Sequence, residues 1–250
     1  MSNKIALVTG GNRGIGRATA IELRRRGYDV VITSRSADAA AAAFADTAPV
    51  LRPVHAIEAD ITNETGRLAI ADHLASAHGV LDLLINNAGT WLESENSSDA
   101  SPNRTSELEL SVLRATFETN FFAPVRLTQL LLPLIRKSEA GRILNIASMH
   151  ASLTLHSSPG SPVFDRKVFG YAASKTALNA FTVPLAHEVA GSGVTVNSLD
   201  PGWVRTQMGG PTATLSPQEC GTAIADIATH LAPDVNGRFL TLQPGTENPW

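Results

Sequence analysis

The chain has 250 residues, a formal net charge of −3 and a single cysteine. This nearly balanced charge gives no electrostatic reason to expect nucleic acid or an anionic membrane as a partner. The length suits one large α/β domain, and no Pro/Gly/Ser-rich linker divides it. We therefore expect a single domain over residues 1–250 that acts on a small molecule.

The N-terminal apolar stretch, Ile5 to Val8, is too short for a signal-peptide core or a membrane span. Cys220 is the only cysteine, so no internal disulfide can form, and a cytoplasmic setting is expected. No reactive-cysteine signature surrounds it, which favours a small packed side chain. No His/Cys cluster has metal-ligand spacing, so the sequence predicts no metal site.

Short apolar runs rich in β-branched residues alternate with longer stretches of helical periodicity. This alternation predicts an α/β fold, a single doubly wound Rossmann domain whose seven-stranded parallel sheet is flanked by helices. Strands are predicted near residues 4–9, 29–34, 53–59, 81–86, 142–147, 194–199 and 238–242. Helices are predicted near residues 15–26, 38–46, 64–78, 105–136, 171–190 and 216–231. Pro124 and Pro133 interrupt the fourth helical pattern and predict a kink or a break there.

A glycine-rich segment lies between the first strand and the first helix. Glycines at this point let the backbone approach a pyrophosphate at the positive end of the helix, although tight turns also use glycines. We predict cofactor contacts from Gly10, Asn12, Arg13, Gly14, Ile15 and Gly16.

Three further motifs follow in chain order: Asn86-Asn87-Ala88-Gly89 closes the fourth strand, Tyr171-x-x-x-Lys175 opens the fifth long helix, and Pro201-Gly202 follows the sixth strand. Together with Thr-Gly-x-x-x-Gly-x-Gly at the first helix, this order resembles the short-chain dehydrogenase/reductase family. The run from Pro201 to Thr206 and the ending Pro249-Trp250 are similar to the carbonyl-reductase branch.

The end of the second strand indicates which cofactor is used. An NAD-type site places an acidic residue about twenty positions past the glycines, where it bonds the adenosine ribose. This chain has Ser34-Arg35-Ser36 there, and Arg13 in the glycine loop is a second cation for the same phosphate. Both favour NADP(H). Asp38 is the alternative ribose acid, but its position fits the first turn of the next helix better.

The resemblance implies further cofactor contacts. Asp60 and Ile61 are similar to the family's adenine-contacting pair, although Asp60 is also placed to cap the following helix. The remaining residues implied are Asn87, Ala88, Gly89, Tyr171, Lys175, Pro201, Gly202, Val204 and Thr206.

Tyr171 and Lys175 are the predicted reaction centre. Residues four apart share one face of a helix, so the phenol and the ammonium are expected to point into the same space. A free tyrosine has a pKa near 10, and a neighbouring cation favours the phenolate, so we expect Lys175 to lower the pKa of Tyr171. Tyr171 would then donate a proton to a carbonyl oxygen as hydride reaches the carbon.

Ser148 and Asn120 are implied by the resemblance as the remaining catalytic residues. Ser148 ends the fifth strand, where its hydroxyl would orient the substrate carbonyl. The interval to Tyr171 is longer than usual in the family, which leaves Ser152 as a competitor. Asn120 resembles the asparagine that holds a relay water through a helix kink, and Pro124 offers a competing cause for any kink.

Aromatic residues just past strand ends are candidates for a substrate pocket, with packed loop residues as the alternative: Trp91, His150 and Trp203. The two long polar loops, Thr90 to Arg104 and Ala151 to Gly170, also leave the carboxyl ends of strands. Ser148 lacks the flanking glycines of a hydrolase elbow, which disfavours a hydrolase.

The sequence therefore predicts an NADP(H)-dependent oxidoreductase that reduces an aldehyde or ketone to an alcohol. An alcohol dehydrogenase working mainly in the oxidative direction uses the same residues. A non-catalytic NADP-binding regulatory protein is the alternative from another class. The resemblance also implies a homo-oligomer, a dimer or a tetramer.

Overall fold

A computed structural model describes residues 4–45, 47, 53–94, 104–166 and 168–250. Within these ranges, seven strands form one parallel sheet in the order β3-β2-β1-β4-β5-β6-β7. The strands are β1 (Ile5–Val8), β2 (Asp29–Ser34), β3 (Val54–Glu58), β4 (Leu83–Asn86), β5 (Arg142–Ile146), β6 (Thr195–Leu199) and β7 (Phe239–Leu240). The predicted fold class and strand positions are confirmed.

Helices cross between the strands and cover both faces of the sheet. They are α1 (Gly14–Arg25), α2 (Ala37–Phe44), α3 (Glu64–Ala77), α4 (Leu110–Phe117), α5 (Ala123–Ile135), α6 (Leu153–Ser157), α7 (Phe169–Glu188) and α8 (Pro217–His230). None of the helices in the described ranges is long and apolar enough to cross a membrane.

Successive side chains of the central strands serve two separate cores, because neighbours along a strand point to opposite faces. Leu7 of β1 belongs to the cluster that includes Leu127 of α5. Val8, the next residue, belongs to the cluster that includes Leu23 of α1 and Ile224 of α8. The nearly continuous apolar strands follow from this burial on both faces.

The chain reverses its direction of strand addition between β1 and β4, which are neighbours in the sheet. In open α/β sheets, ligands bind outside the carboxyl ends of the strands at such a point. The loops that leave β1 and β4 therefore meet where a dinucleotide is expected.

The predicted helix over 105–136 is interrupted, but the break does not lie at either proline. A π-helical turn, Glu118–Phe122, joins α4 to α5, and the Ala123 amide donates to the carbonyl of Glu118, five residues back. Pro124 is in the first turn of α5, where a missing N–H costs little. Pro133 lies inside α5, which continues to Ile135.

The two long loops contain short helical segments in the residues that are described. The loop after β4 makes a 3₁₀ turn at Leu92–Ser94, and residues 95–103 of its predicted span lie outside the described ranges. The loop after β5 contains α6, and α7 begins at Phe169, two residues before Tyr171. Residue 46, the predicted end of the second helix, also lies outside the described ranges.

Candidate active site

The glycine loop brings the backbone of β1 and α1 close to neighbouring segments. Gly14 has φ +53°, and a Cβ placed there would lie 3.3 Å from the side chain of Thr206. A Cβ on Gly16 would lie 2.5 Å from Asn87 Nδ2 and 2.6 Å from the carbonyl oxygen of Gly10. Only glycine fits these approaches, and the loop is left as a backbone-lined cradle.

The N-terminus of α1 differs from those of three other helices in how its amides are satisfied. Ser36, Asn63 and Ser216 cap α2, α3 and α8 through their side chains. At α1 the capping position is Arg13, which makes no such bond, and the first turn holds no acidic residue. A helix start with no side-chain cap and a glycine cradle suits a pyrophosphate, so the residues present fit a dinucleotide.

The loop after β4 is tied to the glycine loop through Thr9. The Thr9 hydroxyl accepts hydrogen bonds from the amides of Asn87 and Ala88, each at 3.0 Å. The side chain of Asn87 donates to the carbonyl oxygen of Thr9 at 2.8 Å. Asn87 therefore joins the loops that leave β1 and β4. These bonds hold Ala88 and Gly89 beside the glycine loop.

Arg35 and Asp60, which are expected on the adenosine side of the cradle, follow the ends of β2 and β3. Arg35 is exposed and makes no hydrogen bond or ion pair with the residues the structure describes. Burial works to raise the pKa of Asp60, but hydrogen bonds from Thr62 and the charges of Arg35 and Arg67 hold that pKa below its usual value. Arg35 therefore lies near Asp60 and is available to an anion.

Other residues proposed for this side have different surroundings. Arg13 donates to Gln207, in the loop after β6, rather than standing free beside Arg35. Asp38 lies in the first turn of α2, as predicted. Ile61 is buried in the core with α3, and Ile15 packs against the core with α1, whereas Asn12 is partly exposed.

The segment after β6 closes over the glycine loop. Pro201 is buried and Gly202 has φ +68°. Val204 pairs with Leu215 in an isolated bridge and is 3% exposed. These contacts place Thr206 next to Gly14 and account for the proximity of the two predicted cofactor segments.

Ser148, Tyr171 and Lys175 meet at the carboxyl end of β5. The Ser148 side chain lies beside the Tyr171 phenol and acts to lower its pKa. Lys175 Nζ donates to the carbonyl oxygen of Ile146 at 2.7 Å and lies 5.9 Å from the centre of the Tyr171 ring. Tyr171 is 9% exposed and Lys175 is 4% exposed.

The direction of the Tyr171 pKa shift is opposite to the sequence expectation. Burial raises the pKa of Tyr171 to about 12, which outweighs the hydrogen bond from Ser148, and the charge of Asp200 acts in the same direction as burial. Burial also lowers the pKa of Lys175 to about 8. Spacing along a helix brings the two groups together, but desolvation disfavours both charged forms.

Asn120 is fully buried in the π-helical turn and joins two parts of the site. Its side chain accepts from the amide of Thr90 at 2.8 Å and donates to the carbonyl of Thr90 at 2.9 Å and to Ser174 Oγ at 3.0 Å. Residue 124 is a proline and cannot donate the usual helical bond to the Asn120 carbonyl. The irregular turn contains Asn120 itself, and Pro124 follows it in the first turn of α5.

The two candidate serines have separate tasks. Ser152 is the N-cap of α6, accepts from the amide of Leu155 at 3.1 Å and donates to the carbonyl oxygen of Trp250 at 3.3 Å. Ser148 is the one whose side chain acts on the pKa of the Tyr171 phenol. The geometry thus favours Ser148 over Ser152 as the serine at the reaction centre.

Two of the three proposed pocket residues surround Tyr171. The Trp91 ring stacks on the Tyr171 ring with centres 5.5 Å apart, and the His150 ring lies edge-on at 6.1 Å. Burial lowers the pKa of His150 to about 4, so this imidazole is neutral at pH 7. Trp203 is 51% exposed and its indole donates to Gly209, so it is not part of this aromatic group.

Sequence reasoning missed two buried carboxylates beside the site, Glu93 and Asp200. Each is 5% exposed. Asp200 follows β6, accepts from the Gly202 amide at 3.1 Å, and acts on the pKa of Tyr171 through its charge. Glu93 accepts hydrogen bonds from two backbone amides in the first turn of α7. A charged residue in a loop gives no local signal that it will be buried.

Cys220 is a packed side chain, as its sequence context favours. Cys220 is fully buried in α8, and burial raises the pKa of its thiol to about 12. Among the described residues, no group of His, Cys, Asp and Glu is arranged to hold a metal ion.

The family follows from comparison with known proteins. Residues 4–214 match the family model described as short chain dehydrogenase. The chain belongs to the short-chain dehydrogenase/reductase family. It is 32% identical to the 3-oxoacyl-[acyl-carrier-protein] reductase FabG of Vibrio cholerae over 98% of both chains.

Solved structures of this family share the fold over nearly the whole chain. An NADPH-bound carbonyl reductase from chicken fatty liver is 25% identical, with a TM-score of 0.83 and complete coverage of both chains. A 7α-hydroxysteroid dehydrogenase in complex with NADH is 26% identical, with a TM-score of 0.78 over 98% of this chain and 94% of the other. Proteins similar to this oxidoreductase therefore bind NADPH or NADH.

Proposed function

We propose that this short-chain dehydrogenase/reductase reduces an aldehyde or ketone to an alcohol with NADPH, and that Tyr171 is the proton donor. The observation that carries the proposal is the buried phenol of Tyr171, which has the Ser148 side chain beside it and Lys175 one helical turn away. The likeness to a carbonyl reductase and to a 3-oxoacyl reductase, both named for the reduction of a carbonyl group, supports the same reaction class.

The residues divide the work of binding and proton transfer. The glycine loop and the uncapped start of α1 would hold the pyrophosphate, and Lys175 would bind the nicotinamide ribose. The bound cofactor supplies the hydride. Ser148 donates a hydrogen bond to the substrate carbonyl oxygen and stabilises the negative charge that develops there, while Tyr171 transfers its proton to that oxygen.

The raised pKa of Tyr171 suits reduction better than oxidation. A phenol with a pKa of about 12 keeps its proton at neutral pH and is ready to donate it. Reduction at the carbonyl carbon leaves an alkoxide oxygen, and the proton from Tyr171 converts it to the alcohol, which is a weaker acid than the phenol. Transfer from phenol to alkoxide is therefore downhill, whereas oxidation would begin from a scarce phenolate.

Arg35 supports NADPH as the preferred cofactor. A guanidinium forms charge-assisted, bidentate hydrogen bonds with phosphate. The exposed Arg35 stands at the end of β2, where NAD enzymes place a ribose-binding acid, and it makes no hydrogen bond or ion pair with the described residues.

The test is NADPH consumption against a panel of aldehydes, ketones, diketones and quinones, run with the wild type and with Tyr171→Phe. The wild type should turn over at least one carbonyl class. Loss of the proton donor should lower kcat by about a hundred- to ten-thousandfold, while the dissociation constant for NADPH stays within about twofold because the ring remains. A Phe variant as fast as the wild type would rule out Tyr171 as the donor.

A further inference from the structure

Glu93, in the loop after β4, makes two hydrogen bonds to the start of the helix that carries Tyr171. Its Oε2 accepts from the amide of Gly170 and its Oε1 accepts from the amide of Tyr171, each at 3.0 Å. The carboxylate is 5% exposed and lies 77 residues from Gly170 along the chain. Both of its oxygens are thus used on consecutive amides of one helix end.

The helix α7 has no side-chain cap at its own capping position. Val168 precedes the helix and cannot accept a hydrogen bond through its side chain. The first amides of a helix have no partner within the helix, so they must be satisfied from elsewhere when they are buried. Gly170 makes this possible, because a Cβ there would lie only 3.2 Å from Glu93 Oε2.

The same loop also contacts the ring of Tyr171. Trp91, two residues before Glu93, stacks on that ring at 5.5 Å with an interplanar angle of 28°. One short segment therefore holds both the backbone and the side chain of Tyr171. The first turn of a helix frays unless it is tied down, so the position of the phenol depends on these contacts.

We propose that Glu93 is a positioning residue, which fixes the first turn of α7 and so holds the Tyr171 phenol in place for proton transfer. The inference rests on the proposed role of Tyr171. Glu93 acts through the backbone of the helix start, from which both of its oxygens accept hydrogen bonds.

The test is Glu93→Gln, which keeps the shape of the side chain but offers one acceptor oxygen for two amides. The NH₂ group of Gln is a donor, so it cannot accept a hydrogen bond from the second backbone N–H. The helix start must therefore shift. We expect kcat to fall about ten- to a hundredfold, with the dissociation constant for NADPH unchanged. Glu219→Gln is the matched control, because Glu219 accepts from Ser216 at the start of α8. This control should keep the wild-type kcat.

A folded Glu93→Gln protein with the wild-type kcat would overturn the proposal. If the Gln variant does not fold, Glu93→Asp takes its place, since it keeps both oxygens but shortens their reach. It should also lose kcat without losing NADPH affinity, and an unchanged kcat in that variant would overturn the proposal in the same way.

Near-ultraviolet circular dichroism separates this inference from the proposed reaction, since it needs no turnover. The stacked Trp91–Tyr171 pair should give a signal that weakens in Glu93→Gln and persists in Glu219→Gln. An unchanged spectrum contradicts the positioning role even if no carbonyl substrate is found. Absence of turnover in the wild type, by contrast, counts against the proposed function alone.

Discussion

The reaction end and the adenosine end of this site hold their charged groups in opposite ways. Tyr171 and Lys175 are buried, and their pKa values are shifted toward the neutral forms. Arg35 and Arg13 at the other end are exposed. In the proposed function, burial at one end keeps Tyr171 protonated, and exposure at the other leaves Arg35 accessible to the 2′-phosphate. The two ends should therefore respond differently to substitution.

The largest effect in this comparison is expected from Lys175→Met at the buried end. The variant keeps most of the side-chain volume and removes an ammonium whose burial is unfavourable, so the protein should stay folded. Loss of the ribose contact and of the charge beside Tyr171 should lower kcat/KM for reduction by about a hundredfold or more. Steady-state kinetics and circular dichroism measure the two properties separately.

The same residue predicts a pH dependence. Because the pKa of Lys175 is lowered to about 8, the ammonium is present below that pH and is lost above it. Wild-type kcat/KM should therefore fall about tenfold per pH unit as pH rises beyond about 8, since kcat/KM reports groups of the free enzyme. The residual kcat/KM of Lys175→Met should not show this fall at high pH. If kcat/KM of both proteins falls over the same pH range, the fall is caused by a group other than Lys175.

Arg35→Ala tests the exposed end and should have the next largest effect. Each charge-assisted hydrogen bond to phosphate contributes on the order of 1.5–3 kcal/mol, so NADPH should bind about ten- to a hundredfold more weakly. NADH lacks the 2′-phosphate and should be nearly unaffected. Arg35→Asp should move selectivity toward NADH by adding repulsion against the phosphate and offering the ribose an acceptor.

Arg136→Ala is the control for Arg35, because Arg136 is an exposed arginine that pairs with Glu188 instead. Its cofactor preference should match the wild type. Catalytic efficiency with both cofactors decides the matter. A wild type that uses NADH as well as NADPH would refute the role given to Arg35.

The smallest effects should distinguish two tryptophans proposed for the pocket. Trp91→Ala removes the ring stacked on Tyr171 and should lower kcat/KM about five- to tenfold, in line with an aromatic contact of about 1 kcal/mol. Trp203→Ala should change kcat/KM less than about twofold, because that ring is half exposed and lies outside the aromatic group. Equal losses from both substitutions would place Trp203 in the pocket.

The sheet was predictable from sequence because its signals are local. The central strands β1 and β4 are short apolar runs, and β1 is followed directly by the glycine loop. The break between α4 and α5 lies at neither Pro124 nor Pro133, whereas the kink that the resemblance implies at Asn120 does lie there. The Asn120 side chain hydrogen-bonds to Thr90 and Ser174. These partners are distant along the chain, so helical periodicity does not reveal them.

The chemistry of the site was predictable only as far as spacing determines it. The Tyr171–Lys175 interval predicts a shared helix face, but the direction of the Tyr171 pKa shift depends on burial, which many chain segments produce together. Glu93 was missed for a related reason. Its partners lie 77 and 78 residues away, and nothing near Glu93 in the sequence indicates that its carboxylate will be buried.

The most direct test of a neutral, buried proton donor is an ultraviolet titration of Tyr171. The chain has only two tyrosines, so Tyr28→Phe leaves Tyr171 as the sole source of tyrosinate absorbance. Circular dichroism at each pH shows whether the protein is still folded. We predict that less than half of Tyr171 ionises at pH about 10 in the folded protein, because burial raises its pKa to about 12. A midpoint at or below about 10 would contradict the account.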